Sequence, residues 1–159
     1  MTVLSTACGY RFSGGGALPG GVSTIGIEIL KNRTAETGLE TRMTDDLLFE
    51  FTRAASVKVV SVESAEAVLS GTIQRLITTP IAYTGTTTTT QQRAVLTVDL
   101  VLTATVDGTV LWSQKGITDE EAFDVGSSKT ATNANLRAAL EVLSQKMAER
   151  IFLLMTADF

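Results

Sequence analysis

A chain of 159 residues in which 44% of the side chains are hydrophobic is long enough to form one domain with a sizeable core. Its net charge of −4 at pH 7 argues against a general nucleic-acid-binding protein, and the absence of histidine disfavours metallohydrolase and Ser-His-Asp chemistry. Cys8 is the single cysteine, which excludes an internal disulfide. We therefore predict no enzyme, no metal site, no cofactor and no nucleic-acid partner.

The residues before Cys8 are similar to the lipobox of a bacterial lipoprotein, in which small side chains precede a cysteine that is lipidated after cleavage. Only Val3 and Leu4 remain of the apolar segment that a signal peptide requires. Either Met1 is therefore a truncated start or Cys8 is an ordinary thiol. We predict Cys8 as a lipid-attachment site, preceded by Leu4, Ser5, Thr6 and Ala7.

Three parts follow from this pattern. Residues 1–8 are predicted to be the remnant of a signal peptide and lipobox, and residues 9–21 a glycine-rich flexible tether. Residues 22–159 are predicted to form a single α+β domain. No stretch approaches 18 uninterrupted apolar residues, so the sequence predicts no membrane-spanning helix.

The first half of the domain predicts a strand and a helix. Residues 22–31 form the strand, in which Ile25, Ile27 and Ile29 share one face. Thr37 and Glu40 have the spacing of a capping box that begins a helix of about four turns. Its apolar stripe consists of Leu39, Met43, Leu47, Phe51 and Ala54.

The second half predicts strands and a closing helix. Residues 94–106 alternate between apolar and polar side chains, which is typical of a half-buried antiparallel strand. Residues 118–129 are predicted to be a polar loop. The predicted strands are a short one at 57–62, a long one from 67 to about 80, and two more at 94–106 and 109–117. A threonine-rich hairpin tip at 84–90 connects the second and third of these strands, and a two-residue turn at Asp107-Gly108 connects the third and fourth. The helix stripe is Leu136, Leu140, Leu143, Met147, Ile151 and Leu154.

These elements predict an α+β fold of the two-layer sandwich type. Its sheet is mixed and largely antiparallel, with four strands plus a short extra strand, and the two helices lie on one face.

Several short motifs together resemble the LptE-type outer-membrane lipoproteins, which assist lipopolysaccharide assembly. The motifs are Cys8-Gly9-Tyr10-Arg11-Phe12, Leu18-Pro19, Asn32-Arg33-Thr34, Glu36, Gly38-Leu39-Glu40 and the later stretch from Ala67 to Ile73.

This resemblance implies a non-catalytic lipoprotein that plugs the outer-membrane β-barrel inserting lipopolysaccharide and contacts lipopolysaccharide itself. It also implies a location at the cell outer membrane, with a lipid anchor facing the periplasm. A polar sheet face suits a hydrated barrel lumen, and acyl chains on Cys8 would hold the domain firmly.

Candidate lipopolysaccharide contacts are Arg75 and Arg93, on strands flanking the threonine-rich hairpin tip, and Lys115 on the returning strand. Cations at such a position could meet lipid A phosphates. Alternatively, each is a solubilising residue or an edge charge that blocks unwanted strand pairing.

Two other functions remain open. A stand-alone periplasmic lipoprotein could bind a lipid or glycan ligand in a groove between helices and sheet. An enzyme could use the acidic residues of the predicted loop, although paired carboxylates without histidine more often form a hydrated surface. These residues are Asp119, Glu120, Glu121 and Asp124.

Overall fold

The computed structural model describes residues 18–85 and 88–157. Within them, no helix is long and apolar enough to cross a bilayer. The elements are β1 (Thr24–Ile27), β2 (Lys31–Asn32), α1 (Leu39–Arg53), β3 (Lys58–Val59), β4 (Ala67–Thr84), β5 (Thr88–Ala104), β6 (Val110–Asp124) and α2 (Lys129–Thr156). Single 3-10 turns lie at Pro19–Gly21 and Val62–Ser64.

The six strands form one mixed sheet in the order β3-β1-β4-β5-β6, with β2 also paired to β4. β4, β5 and β6 form a long antiparallel meander, whereas β1 and β2 lie parallel to β4. The predicted α+β class is confirmed. The strand count differs because the first predicted strand is divided into β1 and β2.

Both helices pack on one face of the sheet, which we call the helix face; the opposite side is the helix-free face. Alternate residues of β5, from Ala94 to Leu102, are buried on the helix face as predicted. The predicted helix stripes are largely confirmed by burial of Leu39, Met43, Leu47 and Phe51 in α1 and of Leu140, Leu143, Met147 and Ile151 in α2. Near the end of α2, Met155 is buried instead of Leu154, because the spacing of four continues from Ile151.

The break between β1 and β2 corrects the predicted face of Ile29. Ile25 and Ile27 are buried, but Ile29 is 70% exposed and Leu30 is buried in its place. The Leu30 N–H donates to the Thr44 hydroxyl of α1 at 3.1 Å, so the backbone leaves the sheet at this point. Strict alternation therefore ends after Ile27.

The predicted capping box is wrong. α1 begins at Leu39, and its N-cap is Gly38, with φ of 88° and no side-chain cap. Glu40 instead accepts a 2.7 Å hydrogen bond from the Asn32 side-chain amide. This bond ties the start of α1 to the end of β2.

β6 differs most from its prediction. It continues to Asp124, so the expected polar loop is a strand up to that residue. The preceding turn is also longer than two residues, because the Ala104 N–H donates to the Thr109 carbonyl at 2.8 Å. At the other end of the sheet, β3 contains only two residues of the predicted strand 57–62.

The expected tether, residues 9–21, overlaps the described part of the chain only at 18–21. Leu18 is buried in the core, and Pro19 is also buried. Cys8 and the rest of the expected lipobox and tether lie outside the described residues, as does part of the hairpin tip (residues 86 and 87).

Candidate functional site

A cavity of about 480 Å³ lies on the helix-free face and extends from β2 across β4 and β5 to β6. Lys31 and Lys115 lie at its two sides, and the hydroxyl groups of serine and threonine residues line the strands between them. Its other charged residues are Glu28 and Asp99. The cavity therefore offers two cations and several hydrogen-bonding groups to a polar ligand.

Asp99 is the centre of a hydrogen-bond network in this cavity. Its carboxylate accepts a 2.7 Å bond from the Gly116 N–H and a 2.8 Å bond from the Gln74 amide. Gln74 in turn accepts a 3.1 Å bond from Arg33. The network links the end of β2 to β4, β5 and β6, and it occupies both carboxylate oxygens of Asp99.

Two β-bulges place the network. In β4 the extra residue is Gln74, between the pairs Ile73–Val98 and Arg75–Thr97. In β6 Lys115 and Gly116 both lie opposite Asp99. Gly116 has φ of 68°, a conformation that favours glycine, and this turns the β6 backbone so that its N–H reaches Asp99. The bulges thus bring Gln74, Asp99 and Lys115 together.

The three predicted contact residues do not form one cluster. Arg75 pairs with Thr97 and Arg93 with Thr79, four residues farther along β4, which separates them by roughly 13 Å. Arg93 lies 3.3 Å from Glu120, so its charge is partly compensated. Arg75 and Lys115 are exposed and have no ion pair within the described ranges 18–85 and 88–157.

Sequence reasoning missed Lys31, Gln74 and Asp99. Lys31 ends the predicted first strand, and nothing in its pattern shows that β2 pairs with β4 beside the cavity. The dipeptide Lys115-Gly116 within a strand was an available signal, since glycine inside a strand often marks a bulge.

The alternative hypothesis placed a ligand groove between the helices and the sheet. Where core side chains of α1 and α2 meet in this space, they fill it. Phe51 of α1 and Phe152 of α2 make an edge-to-face contact with ring centroids 5.2 Å apart. Leu47, Met147 and Ile151 are fully buried. The 480 Å³ cavity lies on the opposite face of the sheet.

The acidic residues of the expected loop lie in β6 and face both sides of the sheet. On the helix face, Glu121 accepts a 2.9 Å hydrogen bond from Lys146 of α2, which raises the pKa of Lys146. Asp119 lies 3.9 Å from the same ammonium. On the helix-free face, Glu120 pairs with Arg93, and Asp124 accepts a bond from Gln91. These contacts give the acids structural roles in the sheet.

The geometry defines a class of protein before any comparison. It is a two-layer α+β domain with one sheet face buried beneath the helices and the other exposed to solvent, where Arg75 and Lys115 have no ion pair among the described residues. Three solved structures share this fold at low identity, so they establish the fold alone.

The first is lipoprotein B from Nitrosomonas europaea, with TM-score 0.64 and 16% identity, covering 94% of this chain and 91% of that one. A protein from Xanthomonas campestris has TM-score 0.60 and 14% identity, covering 89% and 87%. Rare lipoprotein B from Shewanella oneidensis has TM-score 0.56 and 14% identity, covering 84% and 94%. Among curated proteins, no significant match is found.

The family model described as LptE, lipopolysaccharide-assembly, matches residues 22–155, which is most of the chain. The chain belongs to the LptE family, and the resemblance inferred from its motifs is confirmed. The family consists of non-enzymatic lipoproteins that are associated with the outer membrane.

Proposed function

We propose that this chain is a non-catalytic lipoprotein that occupies and assists the outer-membrane β-barrel through which lipopolysaccharide is inserted. The observation that carries the proposal is the family match over residues 22–155. The barrel and lipopolysaccharide are the partners associated with the family, and their assignment to this chain is part of the proposal.

The helix-free face supports a position inside a hydrated barrel. The lumen of a large outer-membrane barrel is polar, so a protein within it must present polar side chains. Thr72, Asp99, Ser113 and Lys115 supply such a surface across the centre of the sheet. On the helix face, both helices cover the apolar side chains of the sheet among the described residues.

Free cations on the same face support contact with lipopolysaccharide. Arg75 and Lys115 are exposed and lack carboxylate partners among the described residues. Arginine and lysine bind phosphate through charge-assisted hydrogen bonds, and lipid A phosphates are the corresponding acceptors. Arg93 belongs to the proposed set as well, but its ion pair with Glu120 must break before its guanidinium can bind a phosphate with all of its donors.

The proposed anchor sets the distance between domain and bilayer. Acyl chains on Cys8 would hold the chain at the periplasmic side of the outer membrane. Leu18 is buried, and ten residue steps from Cys8 to Leu18 extend over at most about 35 Å. The domain would therefore stay within reach of a barrel embedded in the same membrane.

Co-isolation from outer membranes tests the partnership. A tagged full chain, solubilised in mild detergent, is expected to retain one large β-barrel protein through size-exclusion chromatography. The Cys8→Ala variant provides the comparison, because it keeps the domain and removes the proposed lipid attachment. A wild-type chain that migrates alone, without any barrel, would contradict the proposal.

Charge reversal tests the ligand contact. The double variant Arg75→Glu/Lys115→Glu is expected to bind lipopolysaccharide about tenfold or more weakly, measured by fluorescence titration. The matched control is Arg53→Glu/Arg137→Glu, which makes the same change in net charge at exposed helix positions. Equal weakening by both variants would show that only net charge matters and would remove the assignment of these two residues.

A further inference from the structure

Along residues 118–124 of β6, side chains of α2 cover the edge of the sheet. The Val125 N–H donates to the Thr90 carbonyl of β5, so by alternation the even-numbered residues of distal β6 direct their backbone groups away from β5. Three of these outward carbonyls accept hydrogen bonds from α2 side chains. The bonds are Arg150 to Thr118 (2.8 Å), Lys146 to Glu120 (3.1 Å) and Asn135 to Asp124 (2.8 Å). We call this the sealed edge.

On the other side of the sheet, neighbouring strands cover only the first part of β4. β1 pairs with Ala67–Leu69 and β2 with Thr72 and Ile73. The last backbone bond on this side runs from the Arg33 N–H to the Ile73 carbonyl, at 3.0 Å, before the chain leaves for α1. Beyond that point, within the described ranges 18–85 and 88–157, β4 pairs with β5 alone.

The bulge at Gln74 decides which backbone groups face this unpaired side. The Ile73 carbonyl faces β2, and one extra residue in β4 reverses the alternation, so Leu76, Thr78 and Pro80 face outward. Leu76 and Thr78 each offer an N–H and a carbonyl there. Pro80 has no N–H, which ends the donor series. Leu76–Pro80 is the open edge.

Side chains beside the open edge indicate what an added strand must carry. Ile77 and Thr79 alternate with the residues whose backbone groups face outward. Both side chains are exposed, and Ile77 is 40% exposed. Arg75 precedes them and lacks an ion pair among the described residues. A matching segment is extended, places an apolar side chain beside Ile77 and brings a carboxylate to Arg75. The Arg75 guanidinium has five N–H donors, so it can bind this carboxylate and a phosphate together.

We propose that the open edge takes up an extended, carboxylate-bearing segment of a partner protein as an additional strand. Backbone hydrogen bonds to Leu76 and Thr78 supply the pairing, as in other cases of strand addition to a sheet edge. The inference rests on the proposed function, because the barrel protein is the partner that would provide the segment.

Paired photo-crosslinking tests the register of such a strand. Photoreactive residues replace Ile77 or Thr79 in the full chain, and the complex isolated from outer membranes is irradiated and sequenced by mass spectrometry. Both positions are expected to react with one barrel segment, at residues two apart, as strand pairing requires. The matched controls are Thr118 and Ala122 on the sealed edge, which are also exposed and are expected not to react with that segment.

A proline variant tests the backbone contribution. Thr78→Pro removes an outward N–H and is expected to abolish the crosslinks at positions 77 and 79. Ala122→Pro removes an outward N–H from the sealed edge and is expected to leave them unchanged. Circular dichroism melts of both variants establish that each is folded before crosslinking is compared.

The other outcomes separate this inference from the proposed function. A barrel that co-purifies without crosslinks at 77 and 79, or with crosslinks lacking the two-residue register, overturns the open-edge assignment and leaves the plug intact. Crosslinks to a second copy of this chain or to lipopolysaccharide alone also overturn it. Failure of the barrel to co-purify overturns the proposed function, and the barrel-strand inference falls with it.

Discussion

The carboxylate of Asp99 accepts a 2.7 Å hydrogen bond from the backbone N–H of Gly116, across the β-bulge that faces it on β6. This bond converts a local irregularity of the sheet into a fixed feature of the helix-free face. Lys115 lies beside it and lines the cavity. The position of a candidate ligand-binding cation thus depends on an acidic residue that binds no ligand in the proposed mechanism.

Asp99→Ala is expected to lower the free energy of unfolding by about 1–3 kcal/mol, because it leaves the Gly116 N–H and the Gln74 amide without their charged acceptor. Urea denaturation followed by circular dichroism measures the change. Asp45→Ala removes an exposed carboxylate of α1 and is the control, with an expected change within about 0.5 kcal/mol. Equal effects of the two substitutions would contradict a structural role for the network.

Glu66 is expected to make stability depend on pH. Hydrogen bonds from the Ser23 and Thr24 N–H groups lower its pKa below the ordinary value of 4.5. Its contribution is therefore present above pH 4.5 and is lost as the pH falls through the lower pKa of the folded state. Glu66→Gln should flatten the decline of the urea midpoint between about pH 6 and about pH 3.

Glu40 and Asp107 also have lowered pKa values, so part of that decline should remain in the Glu66→Gln variant. Glu40 is affected by its own backbone N–H and by Asn32, and Asp107 by the Thr109 N–H. A variant whose midpoint follows the wild-type pH curve at every point would show that the Glu66 bonds do not persist in solution.

Removal of the α2 side chains that close the sealed edge should allow strand-mediated association. The variant Asn135→Ala/Lys146→Ala/Arg150→Ala frees the carbonyls of β6 that these residues occupy. We expect dimers or larger species in light scattering at concentrations where the wild type is monodisperse. Asn133→Ala/Arg137→Ala, at exposed α2 positions, is the control, and association in both variants or in neither would refute the edge-sealing role.

Phe51→Ala is expected to destabilise the domain by about 3–5 kcal/mol, because Phe51 is fully buried and packs edge-to-face against Phe152. Phe49→Ala is a closely matched control: the same substitution, two residues earlier in α1, at a side chain that is 64% exposed. Its expected cost is within about 0.5 kcal/mol. The loss of stability is measured by thermal or urea unfolding. An equal loss in the Phe49→Ala and Phe51→Ala variants would contradict the described orientation of α1.

Much of the fold was predictable because burial on one face imposes a period on the sequence. The stripe from Leu39 to Phe51 and the alternation from Ala94 to Leu102 each record a single buried face. Two helices and an antiparallel meander follow from these patterns.

The distal half of β6 was misread because Phe123 is the only buried apolar side chain among its helix-facing positions 119, 121 and 123. Asp119 and Glu121 face the helix side, and Lys146 balances them from α2, 25 residues beyond Glu121 in sequence. A pattern of hydrophobicity cannot record a charge pair formed between distant elements. The predicted burial of Ile29 was wrong for a related reason. The hydrogen bond between Leu30 and Thr44 redirects the backbone at the point where alternation predicts a continuing strand.

The candidate site was only partly predictable. Arg75 and Lys115 were selected as cations on strands, and both are exposed. Their spatial relationship depends on two bulges and on the pairing of β2 with β4, which are set by tertiary contacts. Lys31 and the Asp99 network could be found only once the strands were placed beside one another.

Native mass spectrometry of the complex extracted from outer membranes tests the central claim most directly. We predict one species containing one β-barrel protein and one copy of this chain. The mass of this chain should correspond to a polypeptide that begins at Cys8 and carries the acyl groups of a lipoprotein. A native chain recovered as a free monomer with an unmodified Cys8 and no barrel would contradict the account.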